Sequence, residues 1–315
     1  MTPSQPHVTV LLALYNGCAH LEEQLQSYLD QSLRPARVLA SDDHPGDGTG
    51  AAFLQFIETH PSPVTGQWDL IPGPGHGPTA NFLHLLRKVD AAQTDYVALS
   101  DQDDIWLPDK LNSAVAKIAP HDNHPVLLGT RSWEWHADSK RRKISRQVPA
   151  PWSFPHALMQ NYAGGNTMVL NRAALDLVQA ALALEGPCPA VHDWWLYQLI
   201  SGAGGTVLLD PVPQLLYRQH AGNHIGANSG IPSKLLRFWL MLRGTYRGWM
   251  TQNLATLVAQ QELLTPASRD LLHRLLQDRD GPLITRLRLL AQTPLHRKGW
   301  SNQLTLWIAA ALRRM

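Results

Sequence analysis

Apolar and polar stretches alternate along the first hundred residues as they do in chains that form strands and helices in turn. Residues 8–14 are a short, continuous apolar run ended by Asn16 and Gly17, which predicts a strand buried on both faces. Residues 20–31 then place apolar side chains three and four positions apart, which predicts a helix. The same succession continues to residue 100 and predicts a mostly parallel sheet with covered faces.

Further elements are predicted from apolar periodicity and from the turn residues between apolar runs. The predicted strands cover residues 36–41, 67–71, 95–100, 125–128, 163–170 and 206–210. The predicted helices cover residues 51–60, 81–89, 109–118, 172–184 and 192–202. A polar, basic stretch over residues 133–147 predicts an exposed hairpin.

Polar residues follow three of these strands at the point where each strand ends. Tyr15 follows the first strand, Asp42 and Asp43 follow the second, and residues 101–104 follow the strand over 95–100. In open parallel sheets, ligands bind outside the carboxyl ends of the strands. We therefore expect the three segments to form one crevice.

The sequence SDQDD at residues 100–104 places three carboxylates directly after a buried strand. Because like charges this close raise one another's pKa, the cluster predicts a bound cation. Hard oxygen ligands with an open coordination sphere suit Mg²⁺ or Mn²⁺ bridging two phosphates. The alternative is a turn and a helix N-cap, which accounts for one or two of the aspartates but not for all three.

Charge divides the chain into two parts. Residues 1–232 hold 14 Lys and Arg against 21 Asp and Glu, whereas residues 233–315 hold 13 against 4. We expect a domain over 1–232 followed by a helical, basic C-terminal extension over 233–315. The two cysteines, Cys18 and Cys188, are too few and too far apart to indicate a disulfide framework or a zinc site. No apolar run is long enough for a membrane span and no basic leader precedes the first strand, so a cytoplasmic location is expected.

Six motifs occur in a fixed order between residues 7 and 225: ALYNG, SDDHPGDGT, NFLHLL ahead of YVALSDQDDIW, GGNTMVL, HDWWL and YRQHAGN. In this set and order they resemble glycosyltransferase family 2, and most of all its bacterial rhamnosyltransferase-like branch. The resemblance implies a GT-A-type α/β fold that binds a nucleotide-diphosphate-sugar. It also implies a divalent metal, Mg²⁺ or Mn²⁺, and transfer with inversion at the anomeric carbon. One departure from the family pattern is His44-Pro45, where Gly-Ser is usual.

The resemblance assigns roles to residues at the strand ends. Asp103 is implied as a metal ligand, with Asp101 at the ribose or in the metal shell and Asp104 in either role. Asp42 and Asp43 are implied to accept hydrogen bonds from the nucleobase and the ribose. For Asp43 taken alone, capping of the following helix is an equally good interpretation. Three residues at the end of the first strand are implied to hold the base through backbone and ring: Ala13, Leu14 and Tyr15.

Asp193 in HDWWL matches the family's catalytic base, which takes the proton from the acceptor hydroxyl as it attacks. Trp194 and Trp195 would shield this carboxylate or stack on a sugar, and the alternative is a helix-start carboxylate followed by core tryptophans. His220 is implied to close over the diphosphate or to complete the metal sphere, and Arg218 to neutralise the departing phosphate. Three residues are expected to line the acceptor pocket, with a tight turn before a strand as the equal alternative: Gly164, Gly165 and Asn166.

The C-terminal segment carries one apolar stripe at helical spacing beside basic side chains. The stripe consists of Trp300, Leu304, Trp307, Ile308, Ala311 and Leu312. The basic residues beside it are His296, Arg297, Lys298, Arg313 and Arg314. The sequence leaves two interpretations open. The stripe either packs on its own domain, or it makes peripheral contact with an anionic membrane whose lipids carry a polyprenyl-diphosphate-linked glycan.

These features together predict a metal-dependent inverting glycosyltransferase that moves a sugar, with rhamnose as the candidate, from a nucleotide-diphosphate donor to a glycan or lipid-linked acceptor in cell-surface polysaccharide synthesis. One alternative is a nucleotidyltransferase, but residues 12–18 lack the Gly-rich, Lys-containing loop that binds a triphosphate. A second alternative is a non-catalytic module that binds a nucleotide-sugar. Nucleic acid is not an expected partner, because the basic tail contains no recognisable nucleic-acid-binding motif.

Overall fold

The computed structural model describes residues 5–60, 66–136, 141–219 and 244–315. By its internal contacts the chain divides into two compact units. The first is drawn from Met1–Ser145, Ala163–Leu182 and Leu208–Ala227, and the second from Arg146–Tyr162, Ala183–Val207 and Asn228–Met315. The second unit therefore combines the C-terminal region with two earlier segments. The boundary predicted at residue 232 lies outside the described residues and stays a prediction.

The strands and helices have the following bounds. The strands are β1 Val8–Leu14, β2 Arg37–Asp42, β3 Gln67–Pro72, β4 Tyr96–Ser100, β5 Ile105–Trp106, β6 Val126–His136, β7 Arg141–Ile144, β8 Val169–Asn171 and β9 Thr206–Arg218. The helices are α1 Cys18–Leu29, α2 Thr49–Thr59, α3 Pro78–Lys88, α4 Lys110–Ile118, α5 Phe154–Ala157, α6 Arg172–Ala183, α7 His192–Gly202, α8 Thr245–Ala259, α9 Pro266–Asp278, α10 Leu283–Gln292 and α11 Trp300–Ala311.

The described strands form one mixed sheet in the order β3-β2-β1-β4-β8-β6-β9-β5, with β7 paired to β6. The strands β3, β2, β1 and β4 run parallel, as the alternation of strand and helix predicts. The strand β8 is antiparallel to both β4 and β6, and β5 is antiparallel to β9. The predicted hairpin is present, with Trp133 of β6 opposite Ile144 of β7.

The core of the first unit lies around the central strand β1. Val10 and Leu12, which point to one face, and Leu11, which points to the other, are completely buried, which confirms the strand buried on both faces. From α1, the ring of Tyr28 packs against the indole of Trp106 with the ring centroids 4.7 Å apart. Because β1 is anchored on both faces, the polar segments after β1, β2 and β4 leave the sheet at defined positions.

Three predicted strands differ markedly in extent from those observed, and one of them, expected over 206–210, continues to Arg218. The strand expected over residues 163–170 is reduced to β8, and a turn of 3-10 helix at Gly165–Thr167 precedes it. The hydroxyl of Thr167 donates to the carbonyl oxygen of Gly164 at 2.7 Å, which satisfies a backbone acceptor locally instead of in the sheet. The strand expected over 125–128 instead continues to His136, because its second half pairs with β7 in the hairpin.

The second unit contains α5 and α7 to α11, and α7 is buried along most of its length. Every residue from Trp194 to Ile200 is buried, so no polar face of this helix is left to solvent over two turns. Helices α5 and α8 pack against it. Among the described residues, no helix is both long enough and apolar enough to cross a bilayer.

Candidate active site

The ends of three parallel strands meet at one edge of the sheet. In the register of the sheet, Leu14 of β1 lies opposite Asp42 of β2, and Leu12 of β1 lies opposite Ser100 of β4. The segments that begin at Tyr15, at Asp43 and at residue 101 therefore leave the sheet side by side. This confirms the expected convergence of these segments, while the roles assigned to their residues stay predictions.

Gln102, in the middle of the SDQDD motif, joins two of these segments. Its Oε1 accepts a hydrogen bond from the Tyr15 N–H at 2.8 Å, and its Nε2 donates to the Tyr15 carbonyl oxygen. A Cβ atom on Gly17 would lie 2.1 Å from Cδ of Gln102, so the glycine leaves space for this side chain. No sequence argument singled out Gln102, although Gly17 directly after the first strand is compatible with a close approach of this kind.

Asp43 holds the loop that follows β3. Its two carboxylate oxygens accept hydrogen bonds from the backbone N–H groups of Gly75 at 2.7 Å and Gly77 at 2.8 Å. Both glycines have positive φ angles, 72° and 84°, which an L-residue rarely adopts. The alternative interpretation of Asp43 as the cap of α2 is therefore wrong.

Asp42 and Asp47 serve the start of α2 instead. Oδ1 of Asp47 accepts from the N–H of Thr49, the first residue of the helix, at 2.7 Å, and Oδ2 accepts from the N–H of Asn16 at 2.6 Å. Burial acts to raise the pKa of Asp47, but these hydrogen bonds outweigh it and lower that pKa. For Asp42, burial raises the pKa despite a hydrogen bond from the N–H of His44 at 3.1 Å.

Asp104, the last carboxylate of SDQDD, is built into the fold. It is completely buried, and its Oδ2 accepts a hydrogen bond from Nδ2 of Asn166 at 2.6 Å. Burial raises the pKa of Asp104 well above its usual range, and the charges of Asp101 and Asp103 raise it further. The ammonium group of Lys110, also completely buried, donates to the carbonyl oxygen of Asn166 at 3.1 Å. Burial lowers the pKa of Lys110 to about 7 against the opposing effect of Asp104.

These contacts give Asn166 a partner different from the one expected. Its side-chain amide binds Asp104, and the residue is buried. The structure thus supports a role for Asn166 in holding the carboxylate loop, and its assignment to the acceptor pocket stays a prediction without support from this geometry. Gly164, by contrast, is exposed, whereas Gly165 is buried at the start of the short turn.

Asp101 and Asp103 are partly exposed, unlike Asp104. Within the described ranges, no group of three or more His, Cys, Asp or Glu side chains is arranged to hold a metal ion. Two carboxylates are nevertheless a common protein contribution to a Mg²⁺ site, because phosphate oxygens and water complete the octahedron. The donor set of Asp101 and Asp103 therefore fits a divalent cation shared with a diphosphate. The third predicted ligand, His220, lies outside the described residues.

Arg218 is buried at the end of β9, and its guanidinium is used within the protein. Its Nε donates to the carbonyl oxygen of Asp103 at 3.0 Å, and its Nη2 is paired with Glu23. The guanidinium also lies over the indole of Trp135, 4.6 Å from the ring centroid. Arg218 thus fixes the backbone of the residue predicted to bind the metal. Its expected contact with the phosphate stays a prediction.

In the second unit, Asp193 occupies the first turn of α7, as predicted, whereas the two tryptophans after it belong to the core. The indole N–H of Trp194 donates to the carbonyl oxygen of Ala157 at 2.6 Å, and that of Trp195 donates to Oε1 of Gln260 at 2.9 Å. Both side chains are buried. This corrects the expectation that the indoles stack on a sugar, because their faces are covered by the unit itself.

A buried group of ring side chains lies beside Asp193 in this unit. Tyr197, one helical turn after Asp193, packs against Tyr162 with the ring centroids 4.6 Å apart. Burial raises the pKa of Tyr162, and the charges of Tyr197 and Asp193 raise it further, which places the Asp193 carboxylate near this phenol. Nδ1 of the buried His156 lies 2.8 Å from the Tyr197 hydroxyl oxygen. The first turn of α7 thus holds Asp193 beside buried aromatic side chains.

The comparison with known families agrees with this arrangement. The model of glycosyl transferase family 2 matches residues 9–173, which is more than half of the chain. This chain belongs to glycosyl transferase family 2. The matched range contains β1, β2 and β4 and the polar segments at their ends, so the family is recognised through the edge of the sheet described above.

The relative and the two solved structures described next are at most 27% identical to this glycosyltransferase. The dTDP-rhamnosyl transferase RfbG of Shigella flexneri is 27% identical over 248 residues, which cover 76% of this chain and 82% of the relative. TarS of S. aureus in complex with UDP-GlcNAc superposes with a TM-score of 0.53 at 16% identity, over 96% of this chain and 79% of that chain. The mannosyltransferase PcManGT of Pyrobaculum calidifontis, in complex with GDP-Man and Mn²⁺, gives 0.52 at 19% identity, over 99% and 88%. At these identities the solved structures show the fold, which is of the GT-A type.

Proposed function

We propose that this glycosyltransferase transfers a sugar with inversion from a nucleotide-diphosphate donor, with dTDP-rhamnose as the first donor to test, to a growing cell-surface polysaccharide. The observation that carries the proposal is the meeting of Tyr15, Asp43 and the Asp101–Asp103 pair at one edge of the sheet. The name of the Shigella relative, a dTDP-rhamnosyl transferase, supports the choice of donor. The chain covers 82% of that relative's length.

On this proposal, the strand-end edge binds the donor. Asp101 and Asp103 would hold a divalent cation, Mg²⁺ or Mn²⁺, whose charge favours departure of the nucleoside diphosphate when it is bound. Asp43 uses each carboxylate oxygen once in holding the loop after β3, and each oxygen has a second lone pair available for a nucleobase N–H or a ribose hydroxyl. Arg218 fixes the backbone of Asp103, and Gln102, between the two carboxylates, fixes the backbone of Tyr15.

Asp193 is the proposed base. The acceptor hydroxyl gives its proton to the Asp193 carboxylate, the acceptor oxygen bonds to the anomeric carbon, and the bond from that carbon to the diphosphate breaks in the same displacement. The position of Asp193 in the first turn of α7 supports this role, since the helix dipole favours a carboxylate over a carboxylic acid there. The acceptor that we propose is a glycan or a polyprenyl-diphosphate-linked glycan, reached at the inner face of a membrane. Gly164 and Gly165 remain candidates for the acceptor pocket.

A thermal-shift screen of nucleoside diphosphates and nucleotide-sugars, with and without Mn²⁺, tests the donor half of this proposal. A ligand at about 100 times its Kd adds about 2.7 kcal/mol to the free energy of unfolding. We expect dTDP and dTDP-rhamnose to raise the melting temperature in the presence of Mn²⁺, and Asp103→Ala to abolish the metal-dependent part. Asp109→Ala, an exposed carboxylate just past the same loop, is the matched control. The absence of a shift with every nucleotide would contradict the proposal and favour a module that binds neither donor nor metal.

A further inference from the structure

Helix α11 has apolar residues on the side that faces its own unit and also on the opposite side. At 3.6 residues per turn, Leu306, Ala309 and Ala310 lie on one side of the helix, and these residues are buried. The opposite side carries Trp300, which is 83% exposed, and Leu304, which is 53% exposed. The six residues of the predicted apolar stripe all lie on this outer side or at its margins, and each is exposed or half-buried. The first of the two interpretations of the stripe, packing on its own domain, is thus met in part by the half-buried Trp307 and Ile308 and not by the exposed Trp300 and Leu304.

The neighbouring helix extends the apolar surface. The guanidinium of Arg286, near the start of α10, donates to the carbonyl oxygens of Ala310 and Ala311 at the end of α11, at 2.6 and 2.9 Å. These bonds hold the first turn of α10 beside the last turn of α11. That first turn carries Leu283 and Ile284, both exposed, and Leu312 after α11 is exposed as well. Exposed apolar side chains on two adjacent helix ends are a feature of interaction sites.

The charge around this surface has one sign. Residues 281–315 contain no Asp or Glu, and their six cationic residues are Arg286, Arg288, Arg297, Lys298, Arg313 and Arg314. Arg288, Arg313 and Arg314 are exposed. Asp280, just before this segment, is paired with Arg247 at 2.6 Å, so its charge is locally balanced. An apolar surface with a cationic rim fits a partner that has an apolar interior and an anionic surface layer.

We infer that the outer side of α11, with the first turn of α10, is a docking surface for an anionic lipid bilayer. Trp300 and Leu304 would enter the boundary between headgroups and acyl chains, where indoles are favoured. The exposed arginines would bind the anionic headgroups. The helix would lie in the plane of the interface, because its stripe runs along its length. Docking of this kind is separate from the sugar-transfer chemistry and requires neither donor nor metal.

Co-sedimentation of the full chain with vesicles tests the inference. We expect binding to vesicles that contain equal amounts of phosphatidylglycerol and phosphatidylcholine, no binding to phosphatidylcholine alone, and a loss of binding as the salt concentration rises. Trp300→Ala combined with Leu304→Ala should lower the affinity on the order of tenfold or more. Arg313→Gln combined with Arg314→Gln should lower it by about thirtyfold, at roughly fivefold for each arginine.

Matched controls separate this surface from general effects of apolar or cationic residues. Leu54→Ala on α2 removes a leucine that is 47% exposed, close to the exposure of Leu304. Arg141→Gln combined with Arg142→Gln removes two adjacent, exposed arginines on β7. Neither control should change vesicle binding.

Three results would overturn the inference: no binding by the wild-type chain, equal binding to neutral vesicles, or equal losses in the variants and their controls. A fourth would be a wild-type dimer that Trp300→Ala and Leu304→Ala convert to a monomer in light scattering. In that case a second copy of the chain, not a bilayer, covers the surface. Activity on a soluble acceptor should be unchanged in all of these variants, so a failure of docking remains distinguishable from a failure of the proposed chemistry.

Discussion

The carboxamide of Gln102 pairs with both polar groups of the Tyr15 main chain, as a second strand would, and so ties the end of β1 to the loop after β4. The two residues on either side of Gln102 are the predicted metal ligands, and Tyr15 is a predicted contact of the base. A single side chain therefore links the backbone proposed to hold the nucleoside to the carboxylates proposed to hold the cation.

Gln102→Ala should weaken nucleotide binding in the presence of Mn²⁺. The variant loses two hydrogen bonds of about 0.5 to 1.5 kcal/mol each, and we expect the Kd for dTDP to rise by about tenfold. Isothermal titration calorimetry with and without Mn²⁺ measures this effect. Gln26→Ala, which removes an exposed glutamine of α1 whose side chain donates to Asp30, is the control. An unchanged Kd in Gln102→Ala would show that the link has no part in nucleotide binding.

Gly17→Ala offers an independent approach to the same link. The added Cβ would lie 2.1 Å from Cδ of Gln102, so this side chain must leave Tyr15. We expect the single variant to reproduce the nucleotide affinity of Gln102→Ala, and the double variant to be no weaker than Gln102→Ala alone. Additive losses in this double-mutant cycle would mean that Gly17 acts by another route.

Asp103 and Asp104 of SDQDD should respond differently to amide substitution. Asp104→Asn replaces a buried group by a neutral one of the same shape, so the Mn²⁺-dependent thermal shift should persist, whereas Asp103→Asn should remove it. Asp104→Ala leaves the Asn166 amide without its partner and opens a cavity, and we expect it to lower the free energy of unfolding by about 2 to 4 kcal/mol. Chemical denaturation measures this loss. A lost metal response in Asp104→Asn would instead place Asp104 among the ligands.

The parallel half of the sheet and the convergence of its strand ends could be predicted because their cause is local. A continuous apolar run such as β1 requires cover on both faces, and parallel strands bring their carboxyl ends to one edge. The partners of individual carboxylates could not be predicted in this way. Asp104 binds Asn166 from 62 positions away, and Asp43 binds the glycines of a loop more than thirty positions away. Such pairings depend on tertiary packing, which periodicity does not encode.

The tryptophans after Asp193 are a second case in which the sequence alone does not decide the structure. Their sequence is equally compatible with a sugar-binding platform and with a core, and the choice depends on whether another element covers the indoles. Ala157 and Gln260 accept the two indole N–H groups, and both lie far from α7 in sequence. The stripe on α11 is a similar case, since its apolar period is compatible with packing and with membrane contact, and the structure leaves Trp300 and Leu304 exposed.

The stability of the second unit should depend on pH through His156. Burial lowers the pKa of this imidazole to about 3, against about 6.5 in the unfolded chain. Unfolding therefore takes up a proton below pH 6.5, so the contribution of His156 is complete above that pH and is lost as the pH falls towards 3. Through His156 alone, the free energy of unfolding changes by at most about 1.4 kcal/mol per pH unit. Denaturant titrations from about pH 4 to about pH 7 should show a flatter pH dependence of the free energy of unfolding for His156→Gln than for the wild type.

Asp193→Asn should separate binding from chemistry. The amide preserves the shape of the side chain and the helix start, but it accepts no proton from the acceptor hydroxyl. We expect the rate of nucleoside diphosphate release in the presence of acceptor to fall by about two powers of ten or more, with the Kd for the donor nearly unchanged. Asp270→Asn, an exposed carboxylate on α9 of the same unit, is the control and should keep full turnover. Because α7 is buried along two turns and fixes the position of residue 193, a variant that retains both fold and turnover would assign the base to another group.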